Sequence, residues 1–248
     1  PPLAAPRPAR YLSASPVRPE RRPMRTLNWP RIAGLAAILS VMLLAWPFVL
    51  YAARFGLEGF GLGPLRETRF FDPETPVATY GLFAHMALGA LITLLAPLQL
   101  VTPLRRRLPA LHRWTGRVIA GAAALTALGG LAFIAGRGTV GGPWMSVAFA
   151  TGGALMLVFA AQAVRFARAG DFETHRRWAL RLFVMCLSSW FYRLHYALWV
   201  LTVGRVGMAE DFSGAFDRAN VWAFYVPYLL ALEALFWWER RRPAAAAA

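Results

Sequence analysis

Four histidines, His85, His112, His175 and His195, are the side chains of this 248-residue sequence best suited to hold a cofactor. A neutral imidazole is a good axial ligand for haem iron, and the facing helices of a bundle are a usual place for such a site. His85 and His195 lie roughly 7 and 12 Å below the same predicted membrane boundary, at about 1.5 Å per helical residue. His112 and His175 stand just before the third and fifth apolar stretches. The sequence therefore predicts haem b bound by these histidines, with His85 and His195 as the iron ligands.

The neighbours of His85 fit this hypothesis. Gly81 and Gly89, at i−4 and i+4, leave the helix face beside the imidazole without side chains, which gives a flat macrocycle room. For His112 and His175 an alternative stays open, because each precedes an arginine at the interface, where a histidine can also contact lipid headgroups or the backbone.

Four further polar residues lie within apolar stretches, where such groups are costly and usually have a partner or a task. Arg181 and Glu233 lie at similar predicted depth, which suggests an intramembrane ion pair, with snorkelling of Arg181 as the alternative. Gln99 is predicted to hydrogen-bond to the segment 113–117. Arg193 is predicted to reach the outer interface or a group beside the neighbouring histidine.

The elements that position these residues are six apolar stretches. Hydrophobic residues make up 58% of the sequence and charged residues 16%, with mean hydropathy +0.44, which is more apolar than an ordinary soluble domain. A helix that crosses the hydrocarbon layer needs about 20 residues, and all six stretches approach that length. The predicted fold class is all-α, a polytopic membrane protein with a six-transmembrane-helix bundle. The stretches are Ile32–Ala53, Tyr80–Val101, Trp114–Ala135, Trp144–Val164, Trp178–Val203 and Val221–Trp238.

The placement of arginine predicts the orientation of this bundle. All 27 basic residues are arginine, and with the N-terminus inside, 19 lie on the inner side against six on the outer side, as the positive-inside rule requires. Both termini are therefore predicted to be cytoplasmic. The predicted organisation is a disordered basic tail at 1–30, a six-helix transmembrane domain at 31–239 and a basic, alanine-rich tail at 240–248. The net charge of +15 then indicates contact with anionic headgroups on the inner side, and not with nucleic acid.

Small residues predict how two of the helices pack, and the reactive side chains present exclude several classes of active site. The third and fourth stretches are rich in glycine and alanine and are joined by the short segment 136–143, so they are expected to form a tight hairpin. The single cysteine, Cys186, excludes a disulfide within this sequence and a metal cluster built on cysteine. No hydrolase triad, phosphate loop or zinc motif occurs, so an enzymatic role would be that of a membrane oxidoreductase acting through bound haem.

Three segments of the sequence resemble a known family, and they are Pro97-Leu98-Gln99-Leu100, His112-Arg113-Trp114-Thr115-Gly116-Arg117 and His175-Arg176-Arg177-Trp178-Ala179-Leu180-Arg181. Together with the surrounding region Tyr80–Val203, they look like a bacterial integral-membrane family, domain of unknown function 2306, which implies a multi-pass protein of the bacterial cytoplasmic (inner) membrane. A more distant likeness is to cytochrome b561 and ferric-reductase-type haem bundles, which are six-helix proteins with four histidine ligands. In the b561 pattern the ligands come from four successive helices, whereas the fourth stretch here has no histidine.

Three functions fit these observations. The first is a b-type cytochrome-like electron-transfer protein that binds haem between the second and fifth helices and exchanges electrons with a quinone or an outer acceptor. The second is a non-catalytic accessory subunit or assembly factor that packs against the subunits of a larger membrane complex. The third is a small transporter that uses Arg181 and Glu233.

Overall fold

All regular structure in the described part of the chain, residues 29–63 and 70–241, is helical. The predicted tails are 1–30 and 240–248, of which residues 1–28 and 242–248 lie outside these ranges, whereas residues 29–30 and 240–241 are helical. The all-α class predicted from the sequence is confirmed by this computed structural model. Its elements are α1 (Trp29–Gly59), α2 (Pro76–Leu95), a 3₁₀ turn (Ala96–Leu100), α3 (Thr102–Arg107), α4 (Pro109–Arg137), α5 (Gly142–Arg168), α6 (Phe172–Thr202), α7 (Ala215–Ala223) and α8 (Val226–Arg241).

Five helical segments of the described chain are long and apolar enough to cross a membrane: α1, α2 with its 3₁₀ turn, α4, α5, and α7 joined to α8. Large apolar side chains cover the outside of the bundle, such as Leu43 at 75% exposure and Leu39 at 66%. Lipid solvates such a surface, whereas water does not. The prediction of a polytopic membrane protein is thus confirmed. Five segments, not six, meet both criteria, because α6 is long enough but Arg193, His195 and several serine, tyrosine and tryptophan residues lower its mean hydropathy.

Two of the apolar stretches are not single α-helices. The second ends as an α-helix at Leu95 and continues as a 3₁₀ turn that contains Pro97. The short helix α3 follows, and the apolar pattern does not predict it. The sixth stretch breaks between α7 and α8 at 224–225, just before Pro227. Proline has no N–H for the helix hydrogen bond and its ring crowds the preceding turn, which explains both breaks.

The long helices alternate in direction around a shared core. We call the end at which α1 finishes and α2 begins the upper end, and the opposite end the lower end. α2 packs against α1 and α4, α4 packs against α5, and α5 packs against α6, while α7 contacts α5 and α6 and α8 contacts α6. The main core cluster comes from α2, α4, α5 and α6, and includes Ile92, Ala123, Met156 and Met185.

A close backbone approach joins α2 to α4. A Cβ atom at Gly81 would lie 2.8 Å from the carbonyl oxygen of Gly129, and a Cβ atom at Gly129 would collide with the carbonyl oxygen of Gly81. Both positions therefore require glycine, as close helix crossings in membranes often do. The space beside Gly81 that the sequence suggested for a macrocycle is filled by α4. The expected α4–α5 hairpin also forms, with Leu131 of α4 packed against Gly153 of α5.

Gly129→Ala is expected to lower the free energy of unfolding by about 1–3 kcal/mol, the usual cost of forcing extra atoms into a packed core. Gly121→Ala is the matched control, because it lies on the same helix and a Cβ there meets nothing within 4 Å. The control should be neutral or more stable by up to about 1 kcal/mol, since alanine is the better helix former. Thermal unfolding in detergent measures both, and equal midpoints would contradict the assigned crossing.

Candidate functional site

A cavity of about 330 Å³ lies inside the bundle toward its upper end. The helices α1, α2, α4, α5 and α6 all contribute to its wall. Aromatic rings and four methionines make most of the described lining apolar, a composition typical of sites for small molecules. The polar lining includes His85, Thr93, Thr126, Ser188, Ser189 and Arg193.

The imidazole of His85 is held against α4 by a hydrogen bond. Its Nδ1 lies 2.9 Å from the backbone carbonyl oxygen of Thr126, and because a carbonyl only accepts, Nδ1–H is the donor. The other ring nitrogen, Nε2, then carries the lone pair of the neutral imidazole. Gly130 makes room for the ring, since a Cβ there would lie 2.8 Å from Nδ1. His85 therefore offers a ligand of the cavity a hydrogen-bond acceptor or a metal-ligating nitrogen.

Thr126 adds an unused hydroxyl to the cavity wall. The residue is 4% exposed, and its Oγ1 has no hydrogen-bond partner among the described residues. Buried hydroxyls are normally hydrogen-bonded, and the Thr126 methyl group is the part that faces Gly89 at the cavity, so rotation of this side chain would bring the unpartnered hydroxyl to a ligand or to water. By contrast, the hydroxyls of Thr93 and Ser188 already donate to backbone carbonyl oxygens.

Arg193 extends from α6 toward α1 and has no carboxylate partner in the described chain. Its Nη1 donates to the carbonyl oxygen of Ser189, one turn back along α6, at 3.0 Å. The guanidinium carbon lies 4.7 Å from the centre of the Phe48 ring, which is a cation–π distance. The side chain thus turns away from the upper end, instead of reaching that interface or a group beside His195 as the sequence suggested.

His195 belongs to a separate cluster between α6, α7 and α8. Its Nδ1 is 2.7 Å from Oδ1 of Asn220, and its Nε2 is 2.8 Å from the hydroxyl of Tyr228. The amide nitrogen of Asn220 donates to the carbonyl oxygen of Tyr192, which leaves Oδ1 as the acceptor. His195 therefore donates through Nδ1 and accepts through Nε2, so both of its ring nitrogens are occupied.

The structure does not bring His85 and His195 into one site. Arg193 lines the cavity with His85, whereas His195, two residues further along α6, is not part of the lining. Two residues are about 200° apart around a helix, so their side chains leave nearly opposite faces. The similar depth of His85 and His195 in the sequence suggested that they share a site. Depth fixes the position of each imidazole along the membrane normal, but not the side of the helix from which it projects.

The two histidines at the lower end do come near each other. The Nδ1 of His175 is 2.8 Å from the backbone carbonyl oxygen of Ala163, which ties α6 to α5. The imidazole of His112 is close enough to His175 for the two to interact electrostatically. Beside them, Gln99 donates to the hydroxyl of Thr115 at 2.5 Å, within the segment that the sequence indicated.

Arg181 and Glu233 form the ion pair that their depths suggested. Nε and Nη2 of Arg181 donate to the two carboxylate oxygens of Glu233 at 2.6 and 2.8 Å, a bidentate geometry. The guanidinium also lies over the rings of Trp178 and Phe236. The pair joins α6 to α8 and neutralises both charges, which gives these two residues a structural role.

Some contributing residues were not apparent from the sequence. Asn220 was detectable as a polar residue next to an apolar stretch. Thr126 and Tyr228 carry no such signal, because threonine and tyrosine are ordinary constituents of membrane helices. Within residues 29–63 and 70–241, no group of three or more histidine, cysteine and carboxylate side chains is arranged to hold a metal ion, and Cys186 is buried.

Comparison with known proteins gives one match. A family model described as "Predicted membrane protein (DUF2306)" matches residues 82–237, more than half of the chain. The family suggested by the three sequence segments is therefore confirmed, and its description names a membrane location without an activity. No curated protein and no solved structure matches the chain, so the likeness to cytochrome b561 and ferric reductases gains no support.

Glu233→Gln is expected to lower the free energy of unfolding by about 1–3 kcal/mol, because Arg181 loses its charged partner. The matched control is Glu239→Gln, which removes a longer pair, at 3.3 Å against 2.6 Å, whose arginine, Arg176, is more exposed than Arg181. That change should cost no more than about 1 kcal/mol. Thermal unfolding in detergent compares the two. A midpoint for Glu233→Gln at or above that of the control would show that this pair does not hold α8 to α6.

Proposed function

We propose a function from one premise: the chain belongs to the DUF2306 family of predicted membrane proteins. Within the bilayer, the protein binds a small, mainly apolar molecule that carries one polar head. The cavity between α1, α2, α4, α5 and α6 is the proposed site. The apolar wall holds the body of the molecule, and the polar side chains on that wall hold its head.

The single observation that carries this proposal is the unsatisfied polarity of the cavity wall. The hydroxyl of Thr126 and the Nε2 of His85 have no described protein partner, and Arg193 has N–H groups to spare. An apolar cavity with a few convergent polar groups is the usual form of a binding site, and about 330 Å³ falls within the range of such sites.

The proposed topology has six crossing helices and cytoplasmic termini, in a bacterial inner membrane. A short turn at Gly170 joins α5 to α6, and the two helices pack side by side, so α6 returns across the thickness that α5 spans. Its 31 residues extend about 46 Å. Its two inner charges have local explanations, since Arg181 is paired and Arg193 lies at the cavity. The arginine excess at the lower end supports a cytoplasmic location there.

Haem b is the second candidate ligand, and one observation favours it. The Nδ1–H of His85 donates to a carbonyl oxygen, the arrangement that commonly orients a metal-bound histidine. Four methionines and no second histidine are found in the described lining, so a methionine thioether would be the other side chain able to hold the haem iron together with His85. A haem there would supply one-electron transfer, with a quinone as a membrane partner. A Soret band in protein from haem-replete cells, lost in His85→Ala, distinguishes this candidate from a colourless binding protein.

A photoreactive octadecanol with a diazirine on its chain tests the proposed cavity. Protein in phosphatidylcholine vesicles should be labelled saturably on peptides of the cavity wall. Gly89→Leu should reduce labelling about tenfold, a loss of about 1.4 kcal/mol. At this cavity position a Cβ meets only the Thr126 methyl group, at 3.9 Å, so the new side chain fills the cavity.

The matched control for this filling is Gly121→Leu, where a Cβ meets nothing within 4 Å. This variant is expected to be labelled like the wild type, because its side chain enters no described cavity. Labelling that does not saturate, or that is equal in Gly89→Leu and Gly121→Leu, would remove the cavity as the binding site.

A further inference from the structure

We infer that the ligand of this cavity is a long-chain carboxylate, that its head pairs with Arg193, and that it arrives from the lipid through a gap between α1 and α6. The inference rests on the proposed function, because it names the ligand class and the access path of the same cavity. Three features of the structure support it: the gap itself, the charge of Arg193 and the number of charges at the wall.

The wall of the cavity is incomplete between α1 and α6. α1 packs extensively against α2, and α6 packs extensively against α5, whereas the packing between α1 and α6 is slight and includes the contact of Arg193 with Phe48. Tyr51 of α1 and Ser189 of α6 nevertheless line the same cavity. The guanidinium of Arg193 over the ring of Phe48 spans the space between the two helices. Lipid surrounds α1 at this height, where Leu44 is 63% exposed, so the gap opens to hydrocarbon.

The charge of Arg193 lies at a depth where a bare cation is costly. Arg193 precedes the end of α6 by nine residues, which places its backbone about 13 Å below the upper end. The bond to Ser189 and the contact with Phe48 hold the guanidinium at that depth, so it does not snorkel to the interface. Such an arginine is unfavourable unless it is paired. No carboxylate of the described residues pairs with it, and we assign that charge to the ligand.

The donors at the wall suit a head with one negative charge. A guanidinium presents five N–H groups in a planar fork that binds a carboxylate through two bonds. Arg193 uses Nη1 on Ser189, which leaves other N–H groups for a ligand. Arg193 is the one arginine in the described lining, and Thr126 adds a neutral donor. A phosphate monoester carries close to two negative charges and would be under-compensated here.

The apolar part of the ligand can stay in hydrocarbon throughout. Methionine and aromatic side chains line the cavity around the polar groups, so the first part of an alkyl chain meets apolar walls. The remainder can pass through the gap into the bilayer. A fatty-acid-like anion therefore fits all three features: its carboxylate pairs with Arg193, its alkyl chain contacts the apolar cavity wall, and the rest of the chain passes through the gap between α1 and α6.

Photolabelling of the full chain in phosphatidylcholine vesicles tests this inference with a diazirine octadecanoic acid and the matching octadecanol. The acid should label the wild type about tenfold or more above Arg193→Gln, since charge-assisted pairs are strong. The alcohol should lose no more than about threefold in labelling, because its uncharged hydroxyl gives up a single neutral hydrogen bond to the guanidinium and not a charged pair. Arg193→Lys keeps the charge and should retain most of the acid labelling. Arg54→Gln, which removes an arginine of α1 with 71% side-chain exposure, should match the wild type.

The outcomes separate this inference from the proposed function. If the acid labels Arg193→Gln as well as the wild type while the alcohol still labels the cavity peptides, the carboxylate assignment is overturned and the cavity stands. If neither probe labels those peptides, the proposed function fails as well. Stronger displacement of the acid probe by octadecyl phosphate than by octadecanoate would also overturn the carboxylate. Labelled peptides from α1 and α6 would support the access path, and labels confined to α4 and α5 would contradict it.

Discussion

The crossing of α2 and α4 at Gly81 and Gly129 is the contact on which the cavity depends. Because neither residue has a side chain, each backbone occupies the space that a Cβ of the other would need. One turn further along α2, the same approach lets His85 reach the carbonyl oxygen of Thr126. A carbonyl oxygen has a second lone pair, so it can accept this bond in addition to a helical one. The bond fixes the imidazole and leaves Nε2 available to the cavity.

Burial in lipid requires a partner for each polar side chain, and the structure provides partners in most places. Arg181 is neutralised by Glu233, and His195 donates a hydrogen bond from Nδ1 and accepts one at Nε2, so both of its ring nitrogens have partners. Oε1 of Gln162 and Nε1 of Trp222 also lack a hydrogen-bond partner among the described residues, but these residues lie outside the cavity lining. Thr126 and Arg193 depart from the rule as well, because one has no hydrogen-bond partner and the other has no counter-charge among the described residues. Both line the same cavity. Their common location is the reason to regard the cavity as a binding site and not as a packing defect.

The sequence predicts the depth of a residue in the membrane better than it predicts the neighbour toward which its side chain points. The apolar stretches in α4 and α5 lie within the helices that contain them, because the hydrocarbon layer demands about 20 apolar residues. Depth also predicted the partner of Arg181. For His85 and His195 the same reasoning did not predict their surroundings, since the rotation of each helix is set by packing against its neighbours. Gly81 illustrates the same limit of sequence-based prediction, because a helix face without side chains can pack against a cofactor or against another helix, and the sequence does not distinguish the two.

Nitrogen-15 NMR of the histidine-labelled protein in lipid bilayers tests the orientation of His85 most directly. Loss of one imidazole signal in a His85→Gln variant assigns the residue. At neutral pH the wild type is expected to show a protonated Nδ1 and an unprotonated Nε2 for this ring, because the carbonyl oxygen of Thr126 accepts from Nδ1–H. A protonated Nε2 with an unprotonated Nδ1 would contradict the α2–α4 contact as the feature that orients the imidazole and polarises the cavity.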